Sequence, residues 1–154
     1  MLRDASLIPL SHQHHNGLAL CVLTRRSLAA NRSEKNIARL AQRIAGSFDL
    51  ELANHFEMEE QVLFPACGPM PLIDELVREH RLMEVLCGEL RRAPTAQLLE
   101  RFCAVLSAHI RREESELFEQ IQRSLPRDVL DRTGAEIDRR AVRSCLLPSP
   151  DDSP

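Results

Sequence analysis

His55 and Glu59 stand four residues apart in His55-Phe56-Glu57-Met58-Glu59, and the spacing returns in His109-Ile110-Arg111-Arg112-Glu113. In a helix this places imidazole and carboxylate on one face, a turn apart, so each pair can grip a cation from a single helix. Both pairs lie on apolar stripes. Leu52, Phe48, Ile44, Ala41 and Ile37 precede His55 at helical spacing, and Val62 and Leu63 follow Glu59; Val105, Phe102 and Leu98 precede His109, and Leu117 and Ile121 follow Glu113. A carboxylate aimed into a core costs several kcal/mol unless a cation compensates it. A buried metal ion would do so.

The elements that must position these pairs are long helices with short joints. Residues 1–9 are expected as a loose lead-in ending at Pro9. Ser11 is the expected N-cap of a helix over 11–30 with Leu18, Cys21, Val22, Leu28 and Ala29 inward. A second helix spans 34–64, stopped by Pro65 and by Gly68-Pro69-Met70-Pro71. A third runs from Pro71 to Arg92 and a fourth over 95–124. A weaker segment at 126–143 is interrupted at Gly134, and residues 144–154 read as a flexible tail. No strand pattern is present. The chain is therefore expected to be all-α, an up-down-up-down four-helix bundle over 10–125 with an additional short C-terminal helix at 126–143.

Composition narrows the class. The chain has 154 residues, enough for one domain, and its core must be aliphatic because it has five Phe and no Trp or Tyr. A net charge of -3 with both signs dispersed offers no face for nucleic acid or an anionic membrane. The N-terminus lacks the apolar stretch of a signal peptide, and no run approaches the ~18 apolar residues of a membrane span. Cys21, Cys67, Cys87, Cys103 and Cys145 share no CxxC spacing and read as reduced thiols, so a cytoplasmic protein is expected.

The histidines complete the pattern. His14 and His15 open the first helix, His55 and His109 carry the glutamate pairs, and His80 lies on the apolar stripe of the third helix among Leu76, Val77 and Met83. Four facing helices bringing inward histidines, two of them with a glutamate at i+4, are how a bundle builds a metal site. His14 lies closer to the centre of the inward arc than His15, while His12 points away as a capping or surface residue. Glu84 repeats the spacing after His80 but stands beside an inward Met83 and is set aside. Glu57, Glu60, Glu114 and Glu116 read as the solvated face. The candidate ligands are His14, His15, His55, Glu59, His80, His109 and Glu113. Imidazoles with carboxylates, and no cysteine at matching positions, favour iron or manganese over structural zinc, and two glutamates among several histidines suit a carboxylate-bridged pair of ions. Zinc and manganese stay open as substitutes on ligand chemistry alone.

The order of LSHQHHNGL on the first helix, His55 and Glu59 on the second, His80 on the third, and His109 and Glu113 on the fourth resembles the hemerythrin-like, or HHE cation-binding, domain of the bacterial type. The resemblance covers about residues 10 to 125. It implies a hemerythrin-like four-helix bundle around a non-haem centre of two irons, with Glu59 and Glu113 bridging them and the histidines capping them. The animal oxygen carriers of that family have a histidine where this chain has Leu76, and end in His-x4-Asp where this chain has His-x3-Glu. Those departures argue against oxygen carriage with the carriers' own coordination. They leave a coordination position for water, for His15, or for a small ligand such as dioxygen or nitric oxide. The expected role is binding or sensing of such a diatomic, or of redox and iron state; the alternative is a di-iron enzyme reducing peroxide or nitric oxide, oxidising Fe(II), or donating iron for cluster repair. With no output domain expected beside the bundle, a sensor is expected to act through a protein partner, and a homodimer is the other expected association.

Overall fold

The computed structural model describes residues 2–143; Cys145 and the expected tail over 144–154 lie outside the described residues. The N-terminal segment is more regular than a loose lead-in. Asp4 accepts the Ser6 N–H at 2.9 Å and caps a 3₁₀ turn at Ala5–Leu7, and α1 (Ile8–Ala30) follows at once. Pro9 falls in the first turn of α1, where a missing N–H leaves no helical bond unmade. Leu7 and Leu10 are fully buried, and this burial holds the segment down. Ser11 is therefore inside α1 rather than its cap, and its hydroxyl donates to Glu114 at 2.7 Å.

Ser33 accepts the Asn36 N–H at 3.2 Å and starts α2, a continuous helical run over residues 34–67. It contains two π turns, Phe48–Leu52 and Glu59–Leu63. Pro65 does not stop α2. The wide π turn ahead of it separates the proline ring from the carbonyls it would otherwise strike, and the run ends at Gly68, whose φ of 73° suits glycine. Next comes α3 (Pro71–Arg92). Thr95 then accepts the Leu98 N–H at 3.1 Å to start α4 (residues 96–124), which holds a third π turn at Glu113–Leu117.

α1 packs against α2 and α4, and α3 packs against the same two, so neighbouring helices run antiparallel in an up-down-up-down bundle. α5 (Arg127–Arg140) lies against the 3₁₀ turn and the second π turn of α2. Gly134 does not interrupt it. A Cβ at that position would lie 2.4 Å from Ser6 Cβ, so glycine is what lets α5 approach the N-terminal turn. No strand and no helix long and apolar enough to cross a membrane occur among the described residues.

The core divides in two. One cluster joins Leu20, Leu28, Leu40, Ile44, Met83, Leu90, Leu99 and Phe102; the other joins Leu7, Leu10, Leu63, Leu76, Leu117, Phe118, Leu130 and Ile137. Along each bundle helix the chain passes from one cluster to the other, and a histidine marks the crossing: His14 between Leu10 and Leu20, His55 between Leu52 and Leu63, His80 between Leu76 and Met83, His109 between Leu106 and Leu117. The polar residues thus form a layer across the middle of the bundle.

Candidate metal centre

Six of the seven predicted residues meet in that layer. His14, His55, Glu59 and Glu113 form one group with donor atoms all within 4.8 Å of one another, and Glu59, His80, His109 and Glu113 form a second. The two glutamates belong to both groups, and every member is buried. The seventh residue, His15, is exposed: one step along α1 from His14 turns the side chain about 100° away from the bundle axis. It neither joins the cluster nor reaches a position beside Leu76. His12 is also exposed, and Glu84 is exposed and pairs with Arg81 at 2.5 Å.

Each histidine is held from behind. The Nδ1 atoms of His14, His80 and His109 face carboxylate oxygens of Glu114 at 2.7 Å, Glu60 at 2.8 Å and Glu79 at 2.6 Å. An ionised carboxylate only accepts, so these Nδ1 atoms carry the proton and donate. His55 is held by an amide, with its Nδ1 2.9 Å from Gln13 Oε1. Which end of Gln13 faces His55 follows from the end of α5. Asn54 donates to the Arg140 carbonyl at 3.0 Å and accepts the Val142 N–H at 3.0 Å, so its Oδ1 also takes the Gln13 amide hydrogen at 3.1 Å. That leaves Gln13 Oε1 for the Nδ1–H of His55. All four imidazoles therefore turn Nε2 toward the glutamates, the tautomer a metal ligand needs.

Without a cation the inner faces do not satisfy one another. His55 Nε2, both Glu59 oxygens and Glu113 Oε1 are buried without a hydrogen bond, although His55 Nε2 is 3.0 Å from Glu59 Oε1. The Nε2 atoms of His80 and His109 face each other at 3.2 Å. With both Nδ1 atoms protonated, that contact opposes two lone pairs unless a proton or an ion lies between them. Buried groups are almost always partnered, so convergent orphaned nitrogens and oxygens fit a metal. Protons substitute in the metal-free protein. Burial works to lower the pKa of His55, but Glu59 and Glu113 overcome it and raise it to about 9; for His109, Glu113 and Glu79 overcome burial and raise it to about 10. Glu59 is lowered and Glu113 well lowered, because the histidines outweigh the desolvation that would raise them.

The carboxylates behind the histidines are themselves anchored. Burial opposes charge on Glu114, but His14 and Ser11 bring its pKa to about 2, and Arg3 pairs with it at 2.5 Å. Glu60 pairs with Arg81, and Glu79 with Arg112 at 2.6 Å. Glu60 and Glu114, expected on the solvated face, instead position histidines of neighbouring helices; Gln13 and Glu79 carried no expectation. A sequence signal for them exists. His55-x3-Glu59-Glu60-x2-Leu63-Phe64 and His109-x3-Glu113-Glu114-x2-Leu117-Phe118 share five identities, a longer echo than His and Glu alone. Structurally the repeat is complete: each first glutamate opens a π turn, each second one binds a histidine across the bundle, and each phenylalanine stacks on that histidine. Phe64 lies 6.0 Å from His80 and Phe118 lies 5.3 Å from His14, centroid to centroid.

A cleft of about 480 Å³ opens beside the His14 and His55 half, lined by Ile8, Pro9, His12, Gln13, Glu51 and Val142 among others. None of the described cysteines belongs to either group. Burial raises the thiol of Cys87 and pushes Cys67 up to about 11, whereas the hydrogen bond with Cys103 lowers the thiol of Cys21 to about 7.

Residues 6–121 match the family model described as the hemerythrin HHE cation binding domain. No curated protein and no solved structure matches the chain.

Proposed function

The chain belongs to the hemerythrin HHE cation-binding family, and from that premise we propose that it holds two irons bridged by Glu59 and Glu113 and binds or senses dioxygen or nitric oxide there. The observation that carries this reading is the sharing of both buried glutamates between two histidine pairs whose Nε2 atoms all turn inward. A single ion would leave one pair of imidazoles and half of the carboxylate oxygens without a partner. His14 and His55 would hold one ion, and His80 and His109 the other, with Glu59 and Glu113 shared between them. Two irons held there would supply redox chemistry and a place for a diatomic to bind.

The residues around the centre restrict what reaches it. Phe56 stacks on His80 at 4.0 Å and Phe118 stacks on His14, which fixes both rings and keeps bulk water from their faces. Leu76, fully buried one turn before His80, adds an apolar wall instead of a further ligand. The carboxylates nearest the cluster, Glu60, Glu79 and Glu114, are each committed to a histidine, a placement that supports binding over turnover.

Metal analysis with ultraviolet-visible spectra tests this, before and after reduction and exposure to oxygen or nitric oxide. Two irons per chain with the near-ultraviolet bands of a bridged ferric pair, altered by one of the diatomics, is the expected result. One zinc per chain, or no metal in a folded protein, would overturn it. Zinc or manganese at two per chain would keep the centre and change the metal.

A further inference from the structure

The two halves of the centre are related by an internal repeat, but they differ in one supporting group. On α4, His109 donates to the Glu79 carboxylate at 2.6 Å; its counterpart on α2, His55, donates to the Gln13 amide at 2.9 Å. Gln13 directly precedes His14, and Glu79 directly precedes His80, so the two residues hold equivalent places on α1 and α3. The other supports match: Glu114 behind His14 and Glu60 behind His80, each anchored by an arginine. The bridging glutamates are common to both halves. Among the hydrogen-bonded supports, the remaining difference is a carboxylate against an amide.

We propose that the two metal positions are unequal in affinity because of this difference, the His80 and His109 position filling first and the His14 and His55 position filling last. The inference rests on the two-ion reading above. A carboxylate on the Nδ1–H draws the proton outward and makes Nε2 a stronger donor, whereas an amide acts only as a neutral acceptor. Arg112 pairs with Glu79 at 2.6 Å and screens its charge at long range, yet the short bond to His109 survives that pairing, so the effect on the ring persists.

Anaerobic titration of the metal-free full chain with Co(II), followed by calorimetry and visible absorption, tests the proposal. Two binding steps separated by about tenfold or more are expected, the scale on which such supporting groups alter affinity. His14→Ala should retain the tighter step and His80→Ala the weaker one. Gln13→Glu should narrow the gap by tightening the second step, and Glu79→Gln should narrow it by weakening the first. The double exchange should reverse which histidine variant keeps the tighter step, an inversion that loss of structure cannot produce. Two equal steps in the native protein, or a gap unchanged in both Gln13→Glu and Glu79→Gln, would overturn the proposal. Fewer than two ions at saturation would instead remove the two-ion reading, a separate failure.

Discussion

The middle of the bundle and its two ends are made from the same four helices and held by opposite means. Toward each end, Leu40, Ile44 and Phe102 on one side and Leu63, Leu117 and Ile137 on the other are buried by packing alone. In the middle, four imidazoles and two carboxylates are equally buried, and each needs a partner. Any ordinary loss of volume weakens an end, whereas the middle is sensitive to a single missing charge. Stability and metal binding should therefore come apart when the two regions are altered separately.

The largest effect is expected from Glu113→Ala or Glu59→Ala. Each glutamate serves both groups, so at least one ion per chain should be lost, and the metal-free protein should lose about 3–5 kcal/mol as buried imidazoles lose their counter-charge. Elemental analysis and thermal unfolding measure the two losses. Phe102→Ala, deep in one end, should cost about 3–5 kcal/mol as well, yet leave the number of bound ions unchanged. Metal loss in that variant would break the division between middle and ends.

Acidity sharpens the comparison without mutation. In the metal-free protein, His55 at about 9 and His109 at about 10 lie above the ordinary 6.5, so their stabilisation is complete below about 6.5 and is lost as pH rises through 9 and 10. Glu59 and Glu113 lie below the ordinary 4.5, so theirs is present above that value and is lost as pH falls. Melting of the metal-free chain should peak between about 4.5 and 6.5 and decline on the alkaline side, while metal loading should improve there because bound protons must leave. A melting temperature flat from 6.5 to 10 would count against the buried ion cluster.

Smaller effects belong to the periphery. Gly134→Ala should cost about 1–3 kcal/mol by forcing α5 away from Ser6, with metal content retained. Glu57→Ala, on the exposed face beside the ligands, should change neither melting nor metal content. A clear loss of metal in Glu57→Ala would show that the polar layer extends further than the buried residues.

The helices and the inward residues were legible because a 3.6-residue period places His55 with Glu59, and His109 with Glu113, on stripes that must be buried. His14 was preferred over His15 for the same reason, and the structure separates them by burial. Less legible was everything one step around the helix. Glu60 and Glu114 follow ligands directly, and on an isolated helix that direction is solvent; in a bundle it is the neighbouring helix, where His80 and His14 wait. Pro9, Pro65 and Gly134 looked like breaks because local propensity takes no account of Leu7 packing, of the π turn before Pro65, or of the close approach of Ser6.

The π turns that begin at Glu59 and Glu113 set a rule about chain length rather than composition. A π turn accommodates one residue more than an α turn, so removing Ser115 or Glu116 would let that turn close to an ordinary α turn while the helix beyond it keeps its face. Leu117 and Phe118 would stay in the core, and Phe118 would stay beside His14. An added residue finds no such slack and would swing everything beyond it by about 100°. Among variants of this protein, those two exposed positions should accept many different side chains and the loss of one residue, but no insertion.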